Sequence, residues 1–221
     1  EQLKKLINNQ TTAIILEPIQ GEGGVNIPPT HFIQEVRQLC NEYNVLLIAD
    51  EIQVGLGRTG KMFAMEWENT EPDIYLLGKS LGGGLYPISA VLANQDVMSV
   101  LTPGTHGSTF GGNPLACAVS MAALDVLNEE HLVQNALDLG DRLLKHLQQI
   151  ESELIVEVRG RGLFIGIELN VAAQDYCEQM INKGVLCKET QGNIIRIAPP
   201  LVIDKDEIDE VIRVITEVLE K

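Results

Sequence analysis

The chain lacks the features that mark membrane-spanning and nucleic-acid-binding proteins. No apolar run approaches the roughly 20 residues that a membrane helix needs, and no signal peptide is visible. Lys and Arg number only 16 against 31 Asp and Glu, which gives a formal net charge of −15. Because neutralising phosphates requires a basic surface, we expect no nucleic-acid partner, and we interpret the acidity as serving solubility.

Cysteine and histidine are also scarce, with four of each in 221 residues. The cysteines form no C-x-x-C pair and have no histidine at metal-ligand spacing, so we expect no metal site. We interpret them as buried thiols in a reducing compartment, with the cytoplasm as the default location. They are Cys40, Cys117, Cys177 and Cys187.

The chain begins with Glu1 rather than Met, and its first residues, Gln-Leu-Lys-Lys-Leu-Ile, are typical of the end of a helix. We therefore expect a piece of a longer polypeptide, whose missing portion would also hide any targeting segment. The hydrophobic content of 45% is enough for one large or two small domains with a real core.

Short apolar runs typical of buried strands alternate with amphipathic segments in the first half of the chain. The runs span residues 11–17, 45–49 and 73–78, and the segment 28–40 has a helical pattern. Strand, helix and strand joined by short links predict a parallel α/β sheet. Near residue 128 the pattern changes to long charged amphipathic helices and short strands, which predicts an α+β unit. We expect residues 1–127 to be part of a large, mostly parallel-sheet domain and residues 128–221 to be a small C-terminal domain.

Polar residues follow two of the predicted strands. Asp50, with Gln53 three residues on, follows the run at 45–49, and Lys79 follows the run at 73–78. Ligands of parallel sheets bind just beyond the carboxyl ends of the strands, so these side chains are candidates to face one ligand. The alternative is that Asp50 caps a turn and Lys79 is solvated.

A third polar segment, at 103–114, combines four glycines with Ser108 and Thr109. Such a loop suits the close approach of backbone to a phosphate, although a plain surface turn is the alternative. Gly78-Lys79-Ser80 resembles the end of a nucleotide-binding P-loop, but that pattern needs glycine at position 73, where the chain has Asp73. We therefore reject nucleotide binding at this point.

These groups together suit one cofactor, pyridoxal phosphate. It requires an amine for covalent attachment, a carboxylate that keeps the pyridine nitrogen protonated, and an anchor for its phosphate. Lys79, Asp50 and the hydroxyl-rich loop are the candidates for these three roles. Because a lysine attacks a carbonyl readily when burial lowers its pKa, this chemistry favours a buried Lys79.

Four motifs in order carry a resemblance to a known family. They are LEPIQGEGG (16–24), IADEIQVGLGRTG (48–60), LGKSLGGGLYPISA (77–90) and HGSTFGGNPLA (106–116), and IIRIAPPL (194–201) extends the series. The chain resembles the class III (subgroup II) aminotransferases of pyridoxal-phosphate fold type I. Long motifs in a fixed order are far more specific than one short glycine pattern.

The resemblance implies a role for each matching residue. Lys79 is similar to the lysine that binds the cofactor covalently and moves a proton between substrate and cofactor. Asp50 is similar to the partner of the pyridine nitrogen, and Gln53 to the hydrogen-bond donor to the phenolic oxygen. Ser108 and Thr109 are similar to phosphate ligands that the family lends to the neighbouring subunit of a dimer.

Two further residues bear on the choice of substrate. Arginine can hold a carboxylate through two parallel hydrogen bonds, and the resemblance implies that Arg196 does so for glutamate or 2-oxoglutarate. It also implies that Glu22 covers Arg196 in one half-reaction and releases it in the other, so that an ω-amine substrate is not seized by its α-carboxylate. The alternative is that Glu22 merely occupies a glycine-rich loop and Arg196 lies on an edge strand.

Within the family, the motifs are most similar to those of the ornithine aminotransferases, which act on ornithine and 2-oxoglutarate. Acetylornithine and other ω-amine aminotransferases are alternatives, and a truncated, non-catalytic dimerisation module is an alternative of another class. The implied partners are amino-acid and 2-oxo-acid substrates and a second copy of the chain, with shared active sites. The resemblance also implies a long N-terminal portion before Glu1, so we expect these 221 residues alone to bind pyridoxal phosphate weakly and to be inactive.

Overall fold

A computed structural model of the chain describes residues 1–220, which form two compact units. Unit 1 comprises residues 1–18, 28–56 and 63–127, and unit 2 comprises residues 19–27, 57–62 and the chain from 128 onward. Two short segments from the first half of the sequence therefore belong to unit 2. The assignment of residues 1–127 to a cofactor-binding domain and of residues 128–221 to a small domain stays a prediction.

Unit 1 contains a four-stranded sheet in the order β1-β2-β3-β4. The strands span Ala13–Leu16 (β1), Leu46–Asp50 (β2), Ile74–Leu77 (β3) and Ala90–Ala93 (β4). The first three are parallel, as the sequence predicts, whereas β4 runs antiparallel to β3. A parallel return needs a long crossover, usually a helix, and the link from β3 to β4 contains only a 3₁₀ turn at Lys79–Gly82.

An amphipathic helix covers β2 in unit 1. The helices of this unit are α1 (Gln2–Leu6), α2 (Phe32–Tyr43), α3 (Gln95–Met98) and α4 (Pro114–Glu129). On α2, Ile33, Val36 and Cys40 are buried in one cluster with Leu47 and Ala49 of β2. These α2 positions recur every three to four residues, which is the spacing of one helix face.

Unit 2 contains a second four-stranded sheet, in the order β5-β6-β8-β7, with antiparallel neighbours throughout. The strands are β5 (Ile155–Arg161), β6 (Phe164–Leu169), β7 (Lys188–Thr190) and β8 (Ile194–Ile197), and the helices are α5 (Leu132–Leu147), α6 (Gln174–Asn182) and α7 (Lys205–Leu219). Leu143 of α5, Ile165 and Ile167 of β6, and Ile215 of α7 are fully buried in the shared core. This is the α+β arrangement that the amphipathic pattern predicts.

The cysteines are only partly as expected. Cys40 and Cys177 are buried, but Cys187 is half-buried and Cys117 is exposed. The expectation of four buried thiols is therefore wrong for these last two. Cys117 lies on α4, whose apolar composition continues onto its exposed surface, as Leu115 and Met121 show.

None of the helices within residues 1–220 combines the length and the apolar content that a membrane span requires.

A buried carboxylate holds the turn that follows β2. Glu51 is 1% exposed, and its two oxygens accept hydrogen bonds from the backbone N–H groups of Ala64 and Met65, both at 2.9 Å. Both donors lie at the start of the 3₁₀ helix Ala64–Glu68, whose free N–H groups need such a partner. Burial outweighs these two bonds and raises the pKa of Glu51 to about 7.

We expect Glu51 to make the protein less stable as the pH rises from 4.5 to about 7. In this range the unfolded chain has lost the Glu51 proton while the folded chain retains it, so each step upward in pH favours unfolding. Glu51→Gln removes this titration, and the fall in unfolding free energy is expected to become shallower by up to about 1 kcal/mol per pH unit. Urea denaturation at several pH values measures the slope.

The control for this experiment is Glu71→Gln, because Glu71 is an exposed carboxylate of the same unit. Its slope is expected to match that of the unmodified protein. A Glu51→Gln slope equal to that of the control would show that Glu51 is already ionised in the folded state.

Candidate active site

Asp50 and Lys79 lie at the same edge of the unit 1 sheet. Asp50 is the last residue of β2 and is paired with Leu76 of the parallel strand β3. Lys79 comes three residues after Leu76, directly beyond the end of β3. Because parallel strands present their carboxyl ends at one edge, both side chains start from the edge at which such sheets bind ligands.

The turn after β2 orients Asp50 and Gln53. Oδ1 of Asp50 accepts a hydrogen bond from the backbone N–H of Ile52 at 3.1 Å, so Asp50 does cap a turn. The carbonyl of Glu51 accepts a hydrogen bond from the N–H of Gly55 at 2.9 Å, which closes the next turn around Gln53. Asp50 and Gln53 are both partly buried. Turn capping and ligand binding are compatible, since a carboxylate has a second oxygen.

Lys79 is exposed rather than buried, which corrects the expectation from the sequence. The backbone leaves the sheet at Gly78 and enters a 3₁₀ turn, and Lys79 itself has a left-handed conformation with φ 42°. Because the strand ends before Lys79, the side chain of Lys79 is not enclosed by the sheet. A non-glycine residue with positive φ is uncommon, and such strain is concentrated at functional sites.

An open cavity of about 570 Å³ in unit 1 joins Lys79 to the glycine-rich loop. The residues that line it come from Lys79, from the segment 87–89, from the segment 110–113 and from Ala116. Asp50, Gln53, Ser108 and Thr109 are not among the lining residues. The cavity therefore brings Lys79 to the glycine end of the loop rather than to its two hydroxyl residues.

The loop itself is exposed from residue 101 to 112. Ser108 and Thr109 are both exposed, and Oγ of Ser108 accepts a hydrogen bond from the N–H of Gly111 at 2.9 Å. Asn113 ends the loop, and its Oδ1 accepts a hydrogen bond from the N–H of Ala116 at 2.9 Å, which caps α4. Asn followed by Pro114 is the usual start of a helix.

In unit 2, Glu22 and Arg196 form the ion pair that the sequence predicts. Nη1 of Arg196 donates to Oε1 of Glu22 at 2.6 Å. Arg196 lies on β8, which is flanked by β6 and β7, so the alternative of an edge strand is wrong. The second oxygen, Oε2, lies 3.3 Å from Nζ of Lys188 on β7, a contact that the sequence analysis missed.

The loop that carries Glu22 is held by its backbone. Its carbonyl oxygen accepts hydrogen bonds from Oγ1 of Thr190 at 2.7 Å and from Nε2 of Gln191 at 2.8 Å. Two residues on, the carbonyl of Gly24 accepts a hydrogen bond from Nη2 of Arg159 at 2.8 Å. Arg159 also escaped the sequence analysis, because its bond to the Glu22 loop joins residues 135 positions apart.

Arg58, the arginine of the second motif, donates hydrogen bonds to two backbone carbonyl groups. It donates to the carbonyl of Leu163 at 3.0 Å and to that of Pro199 at 2.5 Å. Burial lowers the pKa of Arg58 to about 10, so the guanidinium stays charged at neutral pH. Arg58 thus ties the segment 57–62 to the turn between β5 and β6 and to the segment that follows β8.

His106, a histidine of the glycine-rich loop, is not part of these arrangements. His106 is exposed in the loop of unit 1, and within residues 1–220 no hydrogen bond of its ring is described. Among the same residues, no three His, Cys, Asp or Glu side chains lie close enough to hold a metal ion.

Comparison with known proteins agrees with the motifs. The family model described as "Aminotransferase class-III" matches residues 1–219. "Ornithine aminotransferase 1" from Staphylococcus aureus strain MRSA252 is 66% identical over 218 residues, which cover 99% of this chain and 55% of that protein. The chain thus spans about half the length of the curated relatives it matches.

Solved structures show the fold. The ornithine aminotransferase of Toxoplasma gondii, described with partial occupancy of PLP at its active site, has a TM-score of 0.91 and 46% identity, over 94% of this chain and 50% of that one. The acetylornithine aminotransferase of Elizabethkingia anophelis has a TM-score of 0.90 and 47% identity, over 94% of this chain and 56% of that one. The prediction of an α/β, type I aminotransferase fold is confirmed, and the chain belongs to the class-III aminotransferases, a family of enzymes that depend on pyridoxal phosphate.

Proposed function

We propose that this chain is part of an ornithine aminotransferase, which transfers the δ-amino group of ornithine to 2-oxoglutarate and produces glutamate semialdehyde and glutamate. The observation that carries the proposal is the 2.6 Å ion pair that covers Arg196 with Glu22. An aminotransferase for ordinary α-amino acids has no need of such a cover, because its arginine accepts an α-carboxylate in both half-reactions. The names of the relatives support the same substrate.

The residues of unit 1 suit pyridoxal phosphate by their chemistry. An amine and a carboxylate follow neighbouring parallel strands, and an exposed loop with two hydroxyl groups leads into the N-terminus of α4. Helix N-termini and hydroxyl groups are common phosphate partners. When bound, the cofactor withdraws electrons from the substrate carbon that bears the nitrogen.

We assign roles to the residues of this chain as follows. Lys79 would hold the cofactor covalently, and its amine would move the proton from the substrate carbon. Asp50 provides the negative charge for the pyridine nitrogen, and Gln53 donates a hydrogen bond to the phenolic oxygen. Ser108 and Thr109 bind phosphate in the neighbouring subunit of a dimer. The exposure of both residues supports a role toward another subunit.

Glu22 and Arg196 decide which nitrogen of the substrate reacts. With Glu22 on Arg196, the α-carboxylate of ornithine is excluded and the δ-amine can reach the cofactor. When Glu22 leaves, Arg196 accepts the α-carboxylate of 2-oxoglutarate and the keto carbon is presented instead. The 60% exposure of the Glu22 side chain supports this exchange, because water can solvate the carboxylate once it has left Arg196, whose own side chain is 14% exposed.

An acetylornithine aminotransferase is the second candidate. The structure from Elizabethkingia anophelis, at 47% identity, favours it as strongly as the ornithine enzymes of similar identity favour the first. Both substrates are ω-amines and need the same cover on Arg196. Comparing turnover of ornithine and N-acetylornithine distinguishes the two.

A non-catalytic module is disfavoured by the joint presence of Lys79, Asp50, Gln53 and Arg196.

Lys79→Ala in the full-length enzyme is expected to lower turnover of ornithine with 2-oxoglutarate by at least about 10³-fold, since one residue loses both covalent attachment and proton transfer. The absorbance band of lysine-bound pyridoxal phosphate is expected to disappear as well. The control is Lys145→Ala, which removes an exposed lysine of α5. Unchanged absorbance and turnover in Lys79→Ala would reject the assignment.

Glu22→Gln is expected to strengthen binding of 2-oxoglutarate about tenfold, because Arg196 loses its charged competitor. It is also expected to expose ornithine to capture by its α-carboxylate, so part of the product becomes the 2-oxo acid rather than the semialdehyde. Dissociation constants and product analysis measure the two effects. Glu178→Gln, an exposed change on α6, is the control. Exclusive formation of semialdehyde by Glu22→Gln would contradict the selective role of Glu22.

A further inference from the structure

Two cations face each other across β7 and β8. Lys188 and Arg196 are directly paired in this antiparallel ladder, so their side chains leave the sheet on the same face. Like charges at directly opposed positions destabilise a sheet unless an anion lies near them. The carboxylate of Glu22 is that anion.

Each oxygen of Glu22 has its own cation. Oε1 contacts Nη1 of Arg196 at 2.6 Å, whereas Oε2 contacts Nζ of Lys188 at 3.3 Å. The two cations differ in surroundings, because the side chain of Arg196 is 14% exposed and that of Lys188 is 62% exposed. The arginine is therefore fixed in position, and the lysine has freedom to follow a moving partner.

The main chain of Glu22 cannot follow such a movement. Thr190 and Gln191 hold its carbonyl oxygen, and Arg159 holds the carbonyl of Gly24. Thus the carboxylate can leave Arg196 only by rotation of its own side chain. Lys188 lies next to the carboxylate before any such rotation begins.

We propose that Lys188 is a positioning residue that retains the carboxylate of Glu22 when a substrate carboxylate takes its place on Arg196. This inference rests on the proposed function, in which Arg196 binds a dicarboxylate substrate. With Lys188 present, the exchange replaces one ion pair of Glu22 and preserves the other. Without Lys188, the displaced carboxylate loses this ion pair, and the exchange becomes less favourable. Lys188 thereby acts on substrate binding through Glu22.

The test uses glutarate, a dicarboxylate without a keto group, so binding is measured without turnover. Titration calorimetry on the full-length holoenzyme gives its dissociation constant. Lys188→Gln is expected to raise this constant about threefold, the size of one exposed ion pair, and Lys188→Arg is expected to restore it. The control is Lys183→Gln, which removes an exposed lysine of unit 2 that pairs with Glu217 instead.

The same change is then made in the Glu22→Gln background, as a double-mutant cycle. There we expect Lys188→Gln to leave the dissociation constant of glutarate unchanged, since no carboxylate remains to be retained. An equal loss in both backgrounds would show that Lys188 contacts the ligand directly and would overturn the proposal. No loss in either background, or no binding of glutarate by the unmodified enzyme, would overturn it as well.

Failure of the proposed function is recognised separately. It is seen as absence of turnover of ornithine and 2-oxoglutarate by the unmodified enzyme, whereas the glutarate measurement does not depend on turnover. In an active enzyme, a supporting kinetic result is a higher KM for 2-oxoglutarate in Lys188→Gln with kcat unchanged. A purely structural role of Lys188 would not give this division, because lost folded protein lowers the apparent kcat.

Discussion

The parallel pairing of β2 with β3 is the constraint on which unit 1 depends. It sets Asp50 opposite Leu76, and the ladder continues one step further, with the N–H of Glu51 donating to the carbonyl of Leu76 at 3.0 Å. At the other end, the carboxylate of Asp73 accepts hydrogen bonds from the N–H of Leu47 and from Arg37, each at 2.7 Å. The register is thus fixed at both ends, and with it the points from which Asp50 and Lys79 leave the sheet.

The chain uses charged groups in two opposite ways. Glu51 is buried and Arg58 is partly buried, and their pKa shifts, upward for the acid and downward for the base, both come mainly from desolvation. Such groups fix local structure, because breaking their bonds would leave polar groups without partners in surroundings that exclude water. Glu22 and Lys188 are exposed, so water can replace either partner at little cost. The supports are withdrawn from solvent, whereas the pair that Glu22 forms with Lys188 is exposed.

Sequence reasoning located the parts of the site that depend on local order. Asp50 and Lys79 follow apolar runs, and the Glu22 and Arg196 motifs are long enough to match a family as they stand. It did not find Lys188 or Arg159, because their partners are set by strand register and by a loop that returns to a sheet far along the chain. The prediction that Lys79 is buried was also wrong. Its exposure follows from a turn with positive φ at Lys79, and the amino-acid pattern does not indicate such a backbone conformation at a lysine.

The anchored main chain of Glu22 also bears on how quickly the arginine can be uncovered. Lids formed by whole loops open over microseconds to milliseconds, whereas an exposed side chain changes rotamer within picoseconds to nanoseconds. With its carbonyl held by Thr190 and Gln191, only the side chain of Glu22 has to turn. Typical enzymes turn over on the order of ten times per second, so this rotation reaches equilibrium many times before each chemical step. Under the proposed function, selection between the two carboxylates is then governed by relative free energies and not by the rate of opening.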